Sequence, residues 1–381
     1  MESKQTNQVY QLYAIVLLPL LLFLTSISIS CNRSESESES GTTPGTEELD
    51  GPTRDFVFNE GNKDFAQCHA STVAQLNNGS YIVAWFGGSH EKHDDVGIWI
   101  SKGEPGNWSD PIELEKLRED PHWNPVLFTA PDGKVILYFK VGKEIPTWET
   151  WYTVSDDNGT TWSEAKELVP GDRGGRGPVK NKPIILSNGD WLAPASHEEG
   201  QWDSFVDISK DGGKTWKASE YIPMDRKKYE GKGSIQPTLW ESEPGHVHML
   251  VRTSEGFIGR SDSDDYGVTW SELYETSLPN PNSGIDLVKL EDGALVLAYN
   301  PDDKNWGDRA PLTLAVSEDN GKTWPYKHDI ETGVPDDEFS YPSIISAGRD
   351  KVAAVYTWQR EKVAFWEGTV DQIKNLSKEN Q

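Results

Sequence analysis

Cysteine is nearly absent from this chain of 381 residues: Cys31 and Cys68 are the only two. A disulfide framework is therefore excluded. Long apolar runs are equally scarce. Residues 14–29 (AIVLLPLLLFLTSISI) form the one strongly apolar stretch, so a bundle of spanning helices is excluded too. Positive charge is in deficit, with 36 Lys and Arg against 62 Asp and Glu, a formal net charge of −26. A broad basic face for phosphate contacts cannot be built from that balance, so no nucleic-acid partner is expected. Only 35% of residues are hydrophobic, while Gly numbers 34 and Pro 23, which argues for turns and against a helical bundle. What the chain has in excess is tryptophan, 16 residues, roughly three times an ordinary share.

The N-terminus divides itself by composition. Residues 1–30 resemble a lipoprotein signal, with Ser28 and Ser30 leading to Cys31, which would be lipidated. Residues 31–54 (CNRSESESESGTTPGTEELDGPTR) have no apolar periodicity and read as a disordered acidic tether. The tether holds a small part of the negative charge, so the body at 55–381 keeps about −21. The expected location is the cell envelope, lipid-anchored at the outer membrane or surface, or secreted. Contact with a membrane would come only through that anchor, and the body is expected to be monomeric.

The body is written in a period of 54 residues. Octets of the form Ser-x-Asp-x-Gly-x-Thr-Trp occur at 155–162 (SDDNGTTW), 209–216 (SKDGGKTW), 263–270 (SDDYGVTW) and 317–324 (SEDNGKTW). A degenerate copy, SKGEPGNW, starts one period earlier at Ser101. Interleaved with them, Asn-Gly or Asp-Gly precedes an apolar run at 77–85, 131–139, 187–195 and 291–299, with weaker copies at 243–251 and 348–356. These are hairpin signals. Six units of about 54 residues, each with roughly four short strands and no helical periodicity, predict an all-β protein, a six-bladed β-propeller. A solenoid of the same units would want capping ends, and none is found.

In a propeller the innermost strands open on the central mouth. Those strands read HASTVAQL, NPVLFTA, KPIILS, QPTLWE, GIDLVKL and YPSIISA. A polar residue stands directly before Ala or Pro at His69, Asn124, Lys182, Gln236 and Tyr341, with Ser283 and Gly284 in the remaining unit. A residue before Pro is held extended, which predicts one shared pocket. The following strands end on a second ring that includes Lys140, His197 and Arg252, and loops add Asp94, Asp95, Arg176, Glu198, Arg309 and Arg360. Arginine in so acidic a body points to recognition of a carboxylate, hence of an acidic sugar. His90, His93, Asp94 and Asp95 lack metal-ligand spacing, and no cofactor or metal is expected.

With the octets, HASTVAQL, WFGG, DDVGIW, WNPVLF, GPVKNKPI, SIQPTLWE, LPNPNSGIDLV and YPSII in view, the body resembles the sialidase superfamily with BNR (Asp-box) repeats. That resemblance implies a propeller of sialidase type and an exo-acting site with a Tyr nucleophile, an activating Glu, an Asp acid and three Arg on the substrate carboxylate. It maps the nucleophile to Tyr341, two of the Arg to Arg252 and Arg309, and the acid to Asp95, with Asp94 as the next candidate. It departs at two places: Cys68 and His69 stand where the first Arg is expected, and Gln236 stands in place of the Glu. A phenol of pKa ~10 costs about 4 kcal/mol to ionise at pH 7, and Gln cannot take its proton. Three functions follow. The first is hydrolysis of a terminal sialic or uronic acid, with Glu198 replacing the base. The second is a uronate lyase of the rhamnose-glucuronate kind, in which Arg252 and Gln236 neutralise the carboxylate and His69 or Tyr341 move protons. The third is a non-catalytic glycan-binding propeller that stacks sugars on Trp85, Trp123, Trp148, Trp202 or Trp306.

Overall fold

A computed structural model describes residues 51–379. The signal segment, Cys31 and the tether up to residue 50 lie outside the described residues. Six separate antiparallel sheets follow one another along the chain, each of four or five strands. Numbered I to VI, their innermost strands are Gln67–Gln75, His122–Thr129, Ile184–Ile185, Ser234–Glu243, Asp286–Lys289 and Phe339–Ser346. Each of the six Gly or Arg-Asp turns anticipated from the sequence joins the inner strand to the second one. This is the six-bladed propeller.

The ring closes in a way the repeat count did not foretell. The outermost strand of blade VI comes from the start of the body: Thr53–Phe56 pairs with Lys362–Thr369, Phe56 opposite Ala364. Arg54 then bonds Glu331 of blade V through Nε at 2.9 Å. The tether expected through residue 54 therefore ends before Thr53, because the open edge of blade VI recruits the next four residues. The C-terminus also departs from the helix-free expectation. Helix Val370–Glu379 starts at a capping box in which Gln372 N donates to Thr369 Oγ1 and Thr369 N donates to Gln372 Oε1. It buries Val370 and Ile373 in the apolar cluster shared by blades V and VI.

The Asp-box octets have the structural role their residue types suggest. In the copy at 155–162, Gly159 N donates to Ser155 Oγ (2.8 Å), and Thr161 donates its N and Oγ1 to Asp157 (2.8 and 2.7 Å). The same three bonds recur around Asp211, Asp265 and Asp319. The Gly is required twice over. Its φ is +71° at Gly159, and a Cβ there would come within 2.5 Å of Ile82 in the preceding blade. The copies with Gly159, Gly267 and Gly321 thus close a turn and pack it on the preceding blade, whereas Gly213 packs on Trp191 of its own blade.

Candidate active site

Four inner strands carry the same defect. Register shifts fall between His69 and Thr72, Trp123 and Val126, Ile235 and Thr238, and Ser340 and Ser343. Inside each bulge one residue is left-handed: Ala70 (φ 53°), Asn124 (42°), Gln236 (54°) and Tyr341 (51°). The extended conformation expected before Pro is therefore overturned at Asn124, Gln236 and Tyr341. The extra residue of the bulge must turn its side chain out of the ladder, and a positive φ does that at a cost of about 1–3 kcal/mol each. The register also corrects blade I by one residue, since Ala70 and not His69 is the counterpart of Tyr341. His69 instead pairs with Phe86, as Trp123 does with Lys140, Ile235 with Arg252 and Ser340 with Thr357.

The bulges converge on a cavity of ≈ 200 Å³ lined by His69, Asn124, Glu198, Gln236 and Tyr341, with Phe86, Trp123 and Trp148 as its aromatic wall. Glu91, Lys92, Lys143 and Glu144 line it as well, and the last three are exposed to solvent. The Tyr341 hydroxyl accepts from Arg252 Nη1 at 2.7 Å and from Gln236 Nε2 at 3.4 Å. Gln236 Oε1 takes a second bond from Arg252 Nη1 (3.1 Å), and Asn282 Oδ1 holds Arg252 Nε (2.7 Å). The phenol ring lies 4.2 Å from the imidazole of His69. Tyr, Gln, His and Arg thus form one contact group.

Cations surround that group. Arg309 and Arg252 each lie 5.7 Å from the centre of the Tyr341 ring, and Lys180 lies 6.0 Å from it. Glu338 ties Arg309 (2.9 Å) to Arg360 (2.8 Å), and Glu91 holds the other end of Arg360 (2.6 Å). On all three arginines Nη2 has no hydrogen-bond partner among the described residues. Burial, followed by the charges of Arg360, Arg309, Arg252 and Lys180, holds His69 well below its ordinary pKa. It is a neutral imidazole at pH 7, fixed by Thr357 Oγ1 at 2.9 Å. Burial raises the pKa of Glu198, with Arg252 and Lys140 working against it. Its carboxyl makes no hydrogen bond or ion pair with any described residue.

The BNR repeat-like domain model matches residues 79–353. This chain belongs to the BNR repeat-like family. Among curated relatives, a sialidase of Clostridium perfringens is 22% identical over 240 residues, covering 53% of this chain and 60% of that protein. A sialidase of Paraclostridium sordellii is 24% identical over 262 residues, covering 57% and 62%. The chain thus spans less than two thirds of the length of either. Among solved structures, a Hadza microbial sialidase superposes with a TM-score of 0.69 at 18% identity, covering 83% of this chain and 68% of that one. At that identity the likeness is one of fold, and the fold is the sialidase propeller.

Against this family background several expected site residues take other places. Asp95 does not line the cavity: its carboxylate accepts from Ser89 N (2.9 Å) and Ser89 Oγ (3.1 Å), closing its own loop. Lys182 spans to buried Asp286 of blade V at 2.8 Å. Lys140 is buried against Thr150 Oγ1 and the Arg176 carbonyl (2.7 and 2.6 Å), and burial lowers it to about 7. Arg176 is committed to Asp207 at 2.6 Å, and His197 stacks on Tyr221. Lys182, Lys140 and Arg176 serve the fold because an acidic body offers each of these cations a carboxylate or carbonyl partner, while Asp95 and His197 are held within their own blades. Trp85 is likewise core, fully buried against Phe58. Trp306 is the opposite case, 63% exposed and 5.7 Å from Arg252. Lys180, Glu91 and Lys143 join the site with no motif of their own, although Lys180 stands in the GPVKNKPI stretch beside Lys182.

Proposed function

We propose that this pocket cleaves a terminal acidic sugar from a glycan by sialidase-type hydrolysis. The observation that carries the reading is the Tyr341 hydroxyl, held by Arg252 at 2.7 Å in a cavity that also contains the unpaired Glu198. The free Nη2 groups of Arg252, Arg309 and Arg360 suit a substrate carboxylate. The phenol oxygen bonds to the anomeric carbon as the glycosidic C–O bond breaks. Glu198 gives its proton to the leaving oxygen, and the phenolic proton passes to solvent. Water then displaces Tyr341, returning one proton to Glu198 while solvent reprotonates the phenol. Arg252 stands where negative charge develops on the phenol oxygen. Neutral His69 cannot serve as the base, because its cation would form among four other cations.

One observation favours a second reading. An amide and a guanidinium, not a carboxylate, contact the Tyr341 hydroxyl. That set suits β-elimination from a uronate: Arg252 and Gln236 neutralise the carboxylate, Tyr341, its own proton first given to solvent, takes the adjacent proton as the C–O bond breaks, and the phenol then passes that proton to the leaving oxygen. A single experiment separates the two. The protein is incubated with α-linked sialosides and uronate-capped oligosaccharides, and products are weighed by mass spectrometry. Hydrolysis adds the mass of water to the cleaved pair, whereas elimination adds none and leaves a conjugated double bond. Tyr341→Phe abolishes turnover on either reading. Glu198→Gln removes the alkaline limb of the pH profile, since a raised carboxyl acts as an acid until pH exceeds its pKa. Wild-type protein that cleaves neither substrate class would sink both readings.

A further inference from the structure

Three strained bulges need something to hold them, and a single stretch of blade III touches all three. Val179, Lys180 and Asn181 are each at most 4% exposed and lie ahead of the inner strand Ile184–Ile185. The Val179 carbonyl accepts from Asn124 Nδ2 at 3.1 Å. Asn181 Nδ2 donates to the carbonyls of Gln236 (3.2 Å) and Pro237 (2.9 Å). Lys180 Nζ donates to the carbonyl of Pro342, the residue after Tyr341, and to that of Ile285 at 3.1 Å. The Asn181 side-chain oxygen takes a further bond from Lys180 Nζ (2.9 Å), so the two residues brace one another. Room for this contact comes from Gly284. A Cβ there would lie 3.1 Å from Lys180 Cε and 3.4 Å from the Tyr341 ring.

We infer that Val179, Lys180 and Asn181 are positioning residues: from inside the ring they pin the bulges that aim Asn124, Gln236 and Tyr341 into the pocket. The division of labour is specific. Asn181 holds the bulge of blade IV and Lys180 that of blade VI. Carbonyls displaced from a ladder by a bulge are buried acceptors that need a donor, and these two side chains provide it. A buried ammonium is costly in an apolar setting. Here three oxygens surround Nζ, so its placement serves the carbonyls and not a charge partner.

The test is amide hydrogen exchange on the full chain, compared with kinetics. Lys180→Met and Asn181→Leu keep side-chain volume while removing the donors, so the propeller core is preserved. Exchange in Lys180→Met is expected to quicken about 5- to 10-fold in peptides covering Phe339–Ser346 and to stay unchanged in Ser234–Glu243. Asn181→Leu should give the reverse pattern. The kinetic arm rests on the proposed glycan cleavage. There, kcat of Lys180→Met falls about 100-fold while KM stays within a factor of about two, the signature of a misaimed Tyr341. Exchange that rises in all six blades, or in neither bulge, overturns the inference. So does a loosened blade VI bulge with unchanged kcat. If wild type cleaves no acidic glycan, the functional reading fails and the exchange pattern still decides the positioning role.

Discussion

The outer turns and the inner bulges of this propeller both recur from blade to blade but relate to sequence in opposite ways. At the Asp-boxes, the same five residue types recur and make the same hydrogen bonds around Asp157, Asp211, Asp265 and Asp319. At the bulges, the same backbone event recurs with different side chains: Ala70, Asn124, Gln236 and Tyr341. A turn must satisfy its own amides, and few side chains can do so, so the letters repeat. A bulge only redirects a side chain, so any residue able to bear the positive φ can fill it. The repeat supplies the device, and each blade supplies its own chemistry.

The comparison breaks most easily at the hub, where the mouth depends on buried charge. Asp286 is fully buried and accepts from Lys182, Thr238 Oγ1 (2.8 Å) and Ile344 N (2.9 Å), joining blades III, IV, V and VI. Removing one partner of such a pair leaves the other charge uncompensated. Lys182→Met is expected to lower unfolding free energy by about 3–5 kcal/mol, read by urea denaturation, with KM of the folded protein unchanged. A higher KM at wild-type stability would return Lys182 to the substrate.

That outcome bears on how much of the molecule could be read from its sequence. The hairpins and Asp-boxes are local, so their signals lie within a dozen residues of the bonds they make. Tyr341, Gln236 and Arg252 were legible through strand register combined with family resemblance, and the structure brings them into contact. Lys182 fits the same polar-before-Pro pattern, yet its partner is a carboxylate 104 residues away. Lys180 bonds carbonyls 105 and 162 residues away, and a backbone carbonyl has no residue type to mark it. The true left-handed residue of blade I, Ala70, was hidden by its polar neighbour His69. Position in the ring follows from the period, whereas the partner that decides a role comes from another blade.

A smaller effect separates the arginines of the mouth. Arg252 makes three charge-assisted bonds through two nitrogens, one to the Tyr341 hydroxyl, while Arg309 makes one, to Glu338. Arg252→Lys keeps the charge but loses the fork, and kcat/KM on the acidic substrate is expected to fall by about 1.5–3 kcal/mol, roughly 10- to 150-fold. Arg309→Lys can keep its ion pair with Glu338 and should lose less. Equal losses in the two variants would mean that the two planar forks bear on the carboxylate alike. Wild-type kinetics in both would remove the clamp altogether.

The smallest effect belongs to the rim and sharpens the contrast from its side. Side-chain and backbone hydrogen bonds from Thr215, with Ser209, hold the Asp211 carboxyl down to about 2. A carboxyl whose pKa is lower in the folded state binds its proton more readily in the unfolded chain. Its contribution to stability is therefore complete above the ordinary value of ~3.9 and is lost as pH falls through about 2. Asp319 is held at about 2 as well: its slight burial works the other way, and bonds from Thr323 and Ser317 prevail. Both carboxylates are exposed, so solvent screens them and each loss is small. Bonds from Thr161 and Ser155 also hold the Asp157 carboxyl down, and Asp265 is lowered too, its slight burial outweighed by bonds from Thr269 and Ser263. Stability followed by urea denaturation between pH 5 and 2 should fall more steeply in wild type than in Asp211→Asn, which has no proton to bind. The kinetics of the folded Asp211→Asn protein at neutral pH should match wild type, because no atom of the octet reaches the mouth. A variant with wild-type acid stability but altered kinetics would reverse both halves of the comparison, making the rim functional and its hydrogen bonds idle.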